Sequence, residues 1–227
     1  MKKFILALNY KNNLVDTNEY LDTIGLDKVS KVDVIIFPSF LQIEKFSKKS
    51  VKLGAQNVQD CDKTITGEIS AKMLKKFGTK YCLVGHSERQ ESIEQIVNKI
   101  KELLKDKITP VLCVGESEKM PVKESIDFIK KVIDKICFSQ VDLSKIIVAY
   151  EPIYVIGKEE SCDLDHIETL TNFIKQNYNF LSVLYGGSVN QSNFDKIIKI
   201  SKLDGVLIGK CSLNAKNIKK MIDFLEK

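Results

Sequence analysis

Three side chains and two glycine-bearing turns could together move a proton beside a carbonyl. Glu151 follows the apolar run Val148-Ala149-Tyr150 and precedes Pro152. A carboxylate emerging from such a run loses hydration and binds its proton more tightly, which suits a general base. A rim glutamate in a salt bridge has the same local signature. His86 ends an apolar stretch, and the segment Ser87 to Glu94 after it could open a helix. A helix N-terminus disfavours imidazolium and leaves a neutral ring that can donate a hydrogen bond. Lys11, two residues after Asn9, would add a cation. Gly186-Gly187-Ser188 and Gly209-Lys210 offer backbone amides where a chain can approach an anion closely. The second histidine, His166, is expected in a helix and exposed. Two histidines and no zinc-type cysteine spacing make a histidine-rich metal site a poor reading.

These residues need elements to hold them. Apolar, β-branched runs at 4–10, 33–38, 51–58, 81–86, 109–115, 145–152, 181–187 and 203–210 have near-continuous apolar centres. Parallel strands buried on both faces read this way. Helical patterns lie between them. Residues 91–106 and 122–137 place isoleucine, valine and leucine at spacings of three and four. Asp163 reads as the N-cap of a helix through about 178. Asn190 or Gln191 opens another, and Ser212 or Asn214 the last. Shorter amphipathic segments occupy 39–50 and 70–77, with 17–29 the least patterned. Eight strand–helix units predict an α/β fold, a single (β/α)8 barrel spanning 1–227, with right-handed crossovers. An open doubly wound sheet is the alternative, but Tyr10-Lys11-Asn12-Asn13 after the first strand is no glycine fingerprint. In a closed barrel, chemistry gathers at the C-terminal strand ends, and phosphate binds after the seventh and eighth strands. The polar residues above fall on those ends.

Composition narrows the class. The chain has 227 residues, 44% hydrophobic and 29% charged. That is enough apolar material for a sizeable core and excludes a disordered chain. No run reaches the roughly 18 apolar residues of a membrane span. The early stretch FILAL is too short for a signal segment and is expected to be a strand. Net charge is +5, yet Arg89 is the only arginine, so nucleic-acid reading is not expected. The six scattered cysteines fit reduced thiols of a cytoplasmic protein.

Longer motifs make the reading specific. The segments Asn9-Tyr10-Lys11, Gly54-Ala55-Gln56-Asn57, Thr66-Gly67-Glu68, Gly85-His86-Ser87-Glu88-Arg89, Cys113-Val114-Gly115-Glu116, Ala149-Tyr150-Glu151-Pro152, Tyr185-Gly186-Gly187-Ser188-Val189 and Asp204-Gly205-Val206-Leu207-Ile208-Gly209 occur in that order. In these the chain resembles the triosephosphate isomerase family over nearly its whole length. The resemblance implies cofactor-free and metal-free interconversion of dihydroxyacetone phosphate and D-glyceraldehyde 3-phosphate through an enediolate, in glycolysis and gluconeogenesis. It implies that Glu151 shuttles the proton and that neutral His86 polarises the carbonyl. Lys11 and Asn9 would stabilise the oxyanion, Glu88 would position Lys11, and Ser87 would hold the resting base. Residues 152–162 match the family's lid. Its Gly157 would place an amide on the phosphate, joined by Gly187, Ser188, Gly209 and Lys210. Ile156 and Leu207 would close around the base, and Tyr185 would hold the closed lid. Lid closure would exclude water and suppress phosphate elimination. A homodimer is implied, with loop 58–69 and Thr66 reaching the partner. Departures from the family pattern are Tyr154 for the hinge tryptophan, Gly157-Lys158-Glu159 at the lid tip, Lys210 for a second glycine, and a shortened segment after Arg89 with Gln90 in place of an arginine.

Two other classes share these features. A Schiff-base aldolase would use Lys11 as its nucleophile, although Glu88 nearby would keep the amine charged. A non-catalytic phosphate-binding barrel would need neither Glu151 nor His86.

Overall fold

The computed structural model describes residues 2–227. Eight parallel strands, β1 (Phe4–Asn9), β2 (Val32–Phe37), β3 (Lys52–Ala55), β4 (Tyr81–Val84), β5 (Thr109–Val114), β6 (Ile147–Tyr150), β7 (Ser182–Tyr185) and β8 (Gly205–Ile208), close into a barrel in sequence order. β8 pairs back onto β1 through Ile5 opposite Gly205 and Leu8 opposite Ile208. The open-sheet alternative is thereby excluded. Helices follow each strand: α1 (Thr17–Ile24), α2 (Ile43–Ser47), α3 (Ala71–Lys76), α4 (Ile93–Lys105), α5 (Val122–Cys137), α6 (Leu164–Asn177), α7 (Phe194–Ile197) and α8 (Ala215–Glu226). Among the described residues no helix is long and apolar enough to cross a membrane, and no cysteine is paired.

Strand alternation separates two cores. Ile5, Ala7, Ile35, Phe37, Leu83, Val111, Cys113, Ile147, Ala149, Leu184 and Leu207 fill the barrel interior. The intervening residues, such as Leu6, Leu8, Val148 and Tyr150, pack outward against the helices. The interior period carries on past the strand ends. It aims Asn9 and Lys11 after Ala7, and Glu151 after Ala149, toward the mouth.

The expected elements are present, with informative differences at their ends. The α5 boundaries match the periodicity at both ends, and Asp163 and Asn214 cap α6 and α8. The strands are shorter than their apolar runs. Lys52–Ala55 stops before Gln56, whose side chain bonds two loop carbonyls. The expected 17–29 helix ends at Gly25, which takes φ +60°. Segment 39–50 holds only a short turn and α2. Asn190 and Gln191 do not open the seventh helix, which starts at Phe194. The Asn190 carboxamide oxygen accepts from the Ser192 amide, and Asn193 Oδ1 accepts from the Asn190 amide. These side-chain bonds substitute a turn for the first helical residues.

The β1–β8 seam has little slack. A Cβ on Gly205 would stand 2.7 Å from Ile5 Cβ and closer still to the Ile5 carbonyl. Gly205→Ala is expected to cost about 1–3 kcal/mol of stability through this overlap. Thermal unfolding followed by circular dichroism checks it, and an unchanged midpoint would show the seam to be compliant.

Candidate active site

Glu151 is 2% exposed, and neither of its carboxylate oxygens has a hydrogen-bond partner. The backbone around it is made of residues without side chains. A Cβ on Gly186 would stand 2.6 Å from Glu151 Cγ, and one on Gly115 would overlap the Glu151 backbone. The Cys113 thiol lies beside the carboxyl, with Leu207 in the same interior layer. Burial therefore pushes the Glu151 carboxyl above its ordinary range, against the pull of His86, Cys113 and Lys11. Burial and the nearby carboxylate together hold the Cys113 thiol protonated.

His86 reaches the same chamber by a break in alternation. Cys82 and Val84 point outward, and a continued strand would send residue 86 with them. Gly85, at φ +75°, turns the chain instead. His86 Nε2 then lies 4.0 Å from Glu151 Oε2. The Glu88 backbone N–H donates to His86 Nδ1 at 3.3 Å. An accepting Nδ1 carries no proton, so this bond selects a neutral ring with its proton on Nε2, facing Glu151.

The turn is anchored by Glu91. One Glu91 oxygen accepts from the Gly85 amide at 2.9 Å, and the other from Arg89 Nε at 2.8 Å and from Lys99 Nζ. Lys99 is 5% exposed and also donates to Asn57 Oδ1 at 2.7 Å. Burial works against the Glu91 charge, but the Lys99 and Arg89 bonds hold its carboxyl below the ordinary range. Gln90, at φ +51°, closes the turn after Arg89. Sequence reasoning assigned no role to Glu91 or Lys99. A glutamate and a lysine eight apart near a predicted helix carry no mark of burial.

Lys11 is held in the left-handed region, φ +51°. Its N–H donates to Asn9 Oδ1 at 3.0 Å, and its carbonyl accepts from Gln56 Nε2 at 2.7 Å. These bonds fix a backbone conformation that a β-carbon resists. The ammonium pairs with Glu88 Oε1, and its stem passes Gly209. Gln56 belongs to a quoted motif, but its task becomes visible only in space. The ammonium–carboxylate pair opposes a Schiff-base role.

The segment expected to form the lid, 152–162, is tied to the barrel at several points. Ser188 Oγ donates to the Lys158 carbonyl, and Asn190 Nδ2 to the Glu159 carbonyl at 2.7 Å. The Cys162 amide donates to Tyr185 Oη at 3.1 Å. Gly157, at φ +80°, is exposed at the tip, as are Lys158 and Glu159, and Ile156 is half-buried. Gly187 has no room for a Cβ beside the Tyr185 hydroxyl and Val155. Ser87 is not bonded to Glu151. The structure brings Glu151, His86, Lys11, Asn9 and Glu88 together at the mouth, with Gly186, Gly187, Ser188 and Gly209 at the ends of β7 and β8. Lys210 is exposed at the start of a short turn, Lys210–Leu213.

His166 corrects an expectation. It lies in α6 as expected but is 8% exposed. Its ring stacks on Tyr150, with centroids 6.5 Å apart, and its Nε2 lies 3.5 Å from Glu116 Oε1. The first turn of α6 docks on the barrel wall beneath the lid, so its inner face is enclosed. Glu116 is fully buried and accepts from Tyr150 Oη at 2.8 Å.

Comparison with known proteins agrees with this geometry. Residues 4–225 match the family described as triosephosphate isomerase. The chain belongs to the triosephosphate isomerase family. A triosephosphate isomerase of Mesomycoplasma hyopneumoniae (strain 7448) is 34% identical over 247 residues, covering 98% of this chain and 99% of that protein. One of Amoebophilus asiaticus (strain 5a2) is 37% identical over 246 residues, covering 95% and 96%. One of Alkaliphilus oremlandii (strain OhILAs) is 34% identical over 250 residues, covering 99% and 100%.

Burial of Glu151 has a measurable cost. Its folded carboxyl keeps a proton to higher pH than the unfolded one does. The folded state is therefore penalised as pH rises from the unfolded value, and the penalty is complete above the folded value. Glu151→Gln removes the charge. At pH 7 it is expected to raise the melting temperature by a few degrees, since about 1 kcal/mol moves a chain of this size by roughly 2–4 °C. The gain should vanish as pH falls far enough to protonate the wild-type carboxyl. A pH series of melting curves checks both parts.

Proposed function

We propose that the residues at the barrel mouth carry out the isomerisation that family membership assigns to the chain, the interconversion of dihydroxyacetone phosphate and D-glyceraldehyde 3-phosphate. One observation carries the reading: a buried Glu151 carboxylate without a hydrogen-bond partner, facing a neutral histidine donor at 4.0 Å. Glu151 abstracts a proton from the carbon beside the carbonyl and returns it to the neighbouring carbon. Having no hydrogen bonds to give up, the carboxylate is a stronger base than a hydrated one. His86 Nε2–H polarises the substrate oxygens and stabilises the enediolate, and Lys11 and Asn9 add positive potential at the same oxygens. A carboxylate base beside a neutral histidine is the established arrangement of this family. Glu88 fixes the Lys11 ammonium and, through its amide, the His86 tautomer.

The phosphate sits at the other end of the mouth. Amides of Gly157, Gly187, Ser188, Gly209 and Lys210 surround it, and the Lys158 and Lys210 side chains add charge. Ile156 and Leu207 enclose the base, and lid closure keeps water from the enediolate. Ser87 receives the Glu151 carboxylate when the lid is raised. No metal and no cofactor takes part. The chain works as a single barrel domain in the cytoplasm.

It does so as a homodimer. Loop 58–69 is stitched internally: the Gln59 amide donates to the Ile69 carbonyl, and its side chain to the Cys61 and Lys63 carbonyls. A rigid loop with exposed Ile65 and Thr66, followed by exposed Met73 and Phe77, suits insertion into a second copy. Sedimentation is expected to give the mass of two chains, and monomers at micromolar concentration would overturn this part.

A coupled assay with D-glyceraldehyde 3-phosphate tests the activity. Glu151→Asp withdraws the base by one methylene and is expected to lower kcat about a hundredfold or more with little change in KM. Lys11→Ala should abolish turnover with the barrel still folded. A Glu151→Asp enzyme at the wild-type rate would remove Glu151 from its role.

A further inference from the structure

The two ends of the lid are tied to each other as well as to the barrel. Tyr154 stands in the turn Ile153–Val155 that lifts the lid off β6. Cys162 stands at its far end, just before the Asp163 cap of α6. Tyr154 Oη and Cys162 Sγ are 2.9 Å apart. Cys162 is buried, and its amide is the group that donates to Tyr185 Oη. Three elements therefore meet at one residue: the first hinge through its sulfur, β7 through its amide, and α6 through the chain. The Tyr185 hydroxyl occupies the space left by the absent Cβ of Gly187, which also borders Val155 of the first hinge. Burial raises both the Tyr154 hydroxyl and the Cys162 thiol above their ordinary ranges, so both carry protons at neutral pH. Either one can donate.

We propose that Tyr154 and Cys162 form a clasp across the lid hinges and are positioning residues for the isomerisation: the O–H/S–H contact stabilises the lowered lid, and with it the alignment of Glu151. The inference rests on the function proposed above. Lifting the lid moves the first hinge away from Cys162 and breaks the contact. A tyrosine in place of the family's hinge tryptophan thereby has a partner of its own. A hydrogen bond of ordinary net strength biases the lowered state by about three- to tenfold.

The test is a double-mutant cycle on the full-length protein with Tyr154→Phe, Cys162→Ala and the pair, assayed with D-glyceraldehyde 3-phosphate. Each single variant is expected to lower kcat about three- to tenfold. Each should also raise the share of turnovers that release inorganic phosphate, because a raised lid exposes the enediolate to elimination. The pair should be no worse than either single change, because both remove one contact. Cys162→Ser, which keeps a hydrogen-bonding atom, should restore the wild-type partition. Strictly additive losses, or a fall in melting temperature with an unchanged phosphate-release fraction, would overturn the clasp. Tyr154→Phe keeps the ring and its packing, so it reads the contact even if Cys162→Ala folds poorly. A wild-type protein without isomerase activity would overturn the underlying function, whereas an active wild type with indifferent variants would overturn the clasp alone.

Discussion

A carboxyl group without a hydrogen bond is costly to bury, and this barrel is arranged around one. Glu151 could be accommodated in solvent or in an ion pair, and either would weaken it as a base. Instead Gly115 and Gly186 clear a slot for its backbone and side chain, and the Cys113 thiol lies beside its carboxyl. Its polar neighbours stand back: His86 Nε2 is 4.0 Å away, and the Lys11 ammonium is engaged by Glu88.

Positioning such a group needs rigid neighbours, and rigidity is bought with unusual backbone at a few points. Lys11 is pinned in the left-handed region between Asn9 and Gln56. Gly85 turns His86 inward, and the Glu91 carboxylate, paired with buried Lys99 and exposed Arg89, holds that turn. Each device sits at a strand end, where the interior period of the barrel runs out and side-chain bonds take over from the ladder.

What could be read beforehand divides along the same line. Glu151, Lys11 and Asn9 lie on the continued interior period of apolar strands, so their convergence follows from alternation and barrel closure. The α5 limits and the Asp163 cap follow from local periodicity and local hydrogen bonding. His86 ends a predicted apolar strand, but alternation alone turns it outward, and only the Gly85 turn explains how it reaches the mouth. His166 was misjudged because a helical position says nothing of which face α6 lays against Tyr150 and Glu116. Glu91, Lys99 and Gln59 carry no sign of their roles in sequence, and the Gln56 motif does not reveal its two carbonyl partners, because polar residues show their burial only once distant segments are assembled. The seventh helix shrank because the Asn190 and Asn193 side chains compete for its first amides.

Closure of the ring by its first and last strands has a consequence for synthesis. Asn9 and Lys11 leave the ribosome before Gly209 and Lys210, which lie seven strands further along the chain. Until β8 docks between β7 and β1, the nascent sheet carries two unpaired apolar edges, the kind of surface that recruits other chains. The mouth is thus assembled only when β8 docks: the strand that seals the seam also brings Gly209 beside the Lys11 stem.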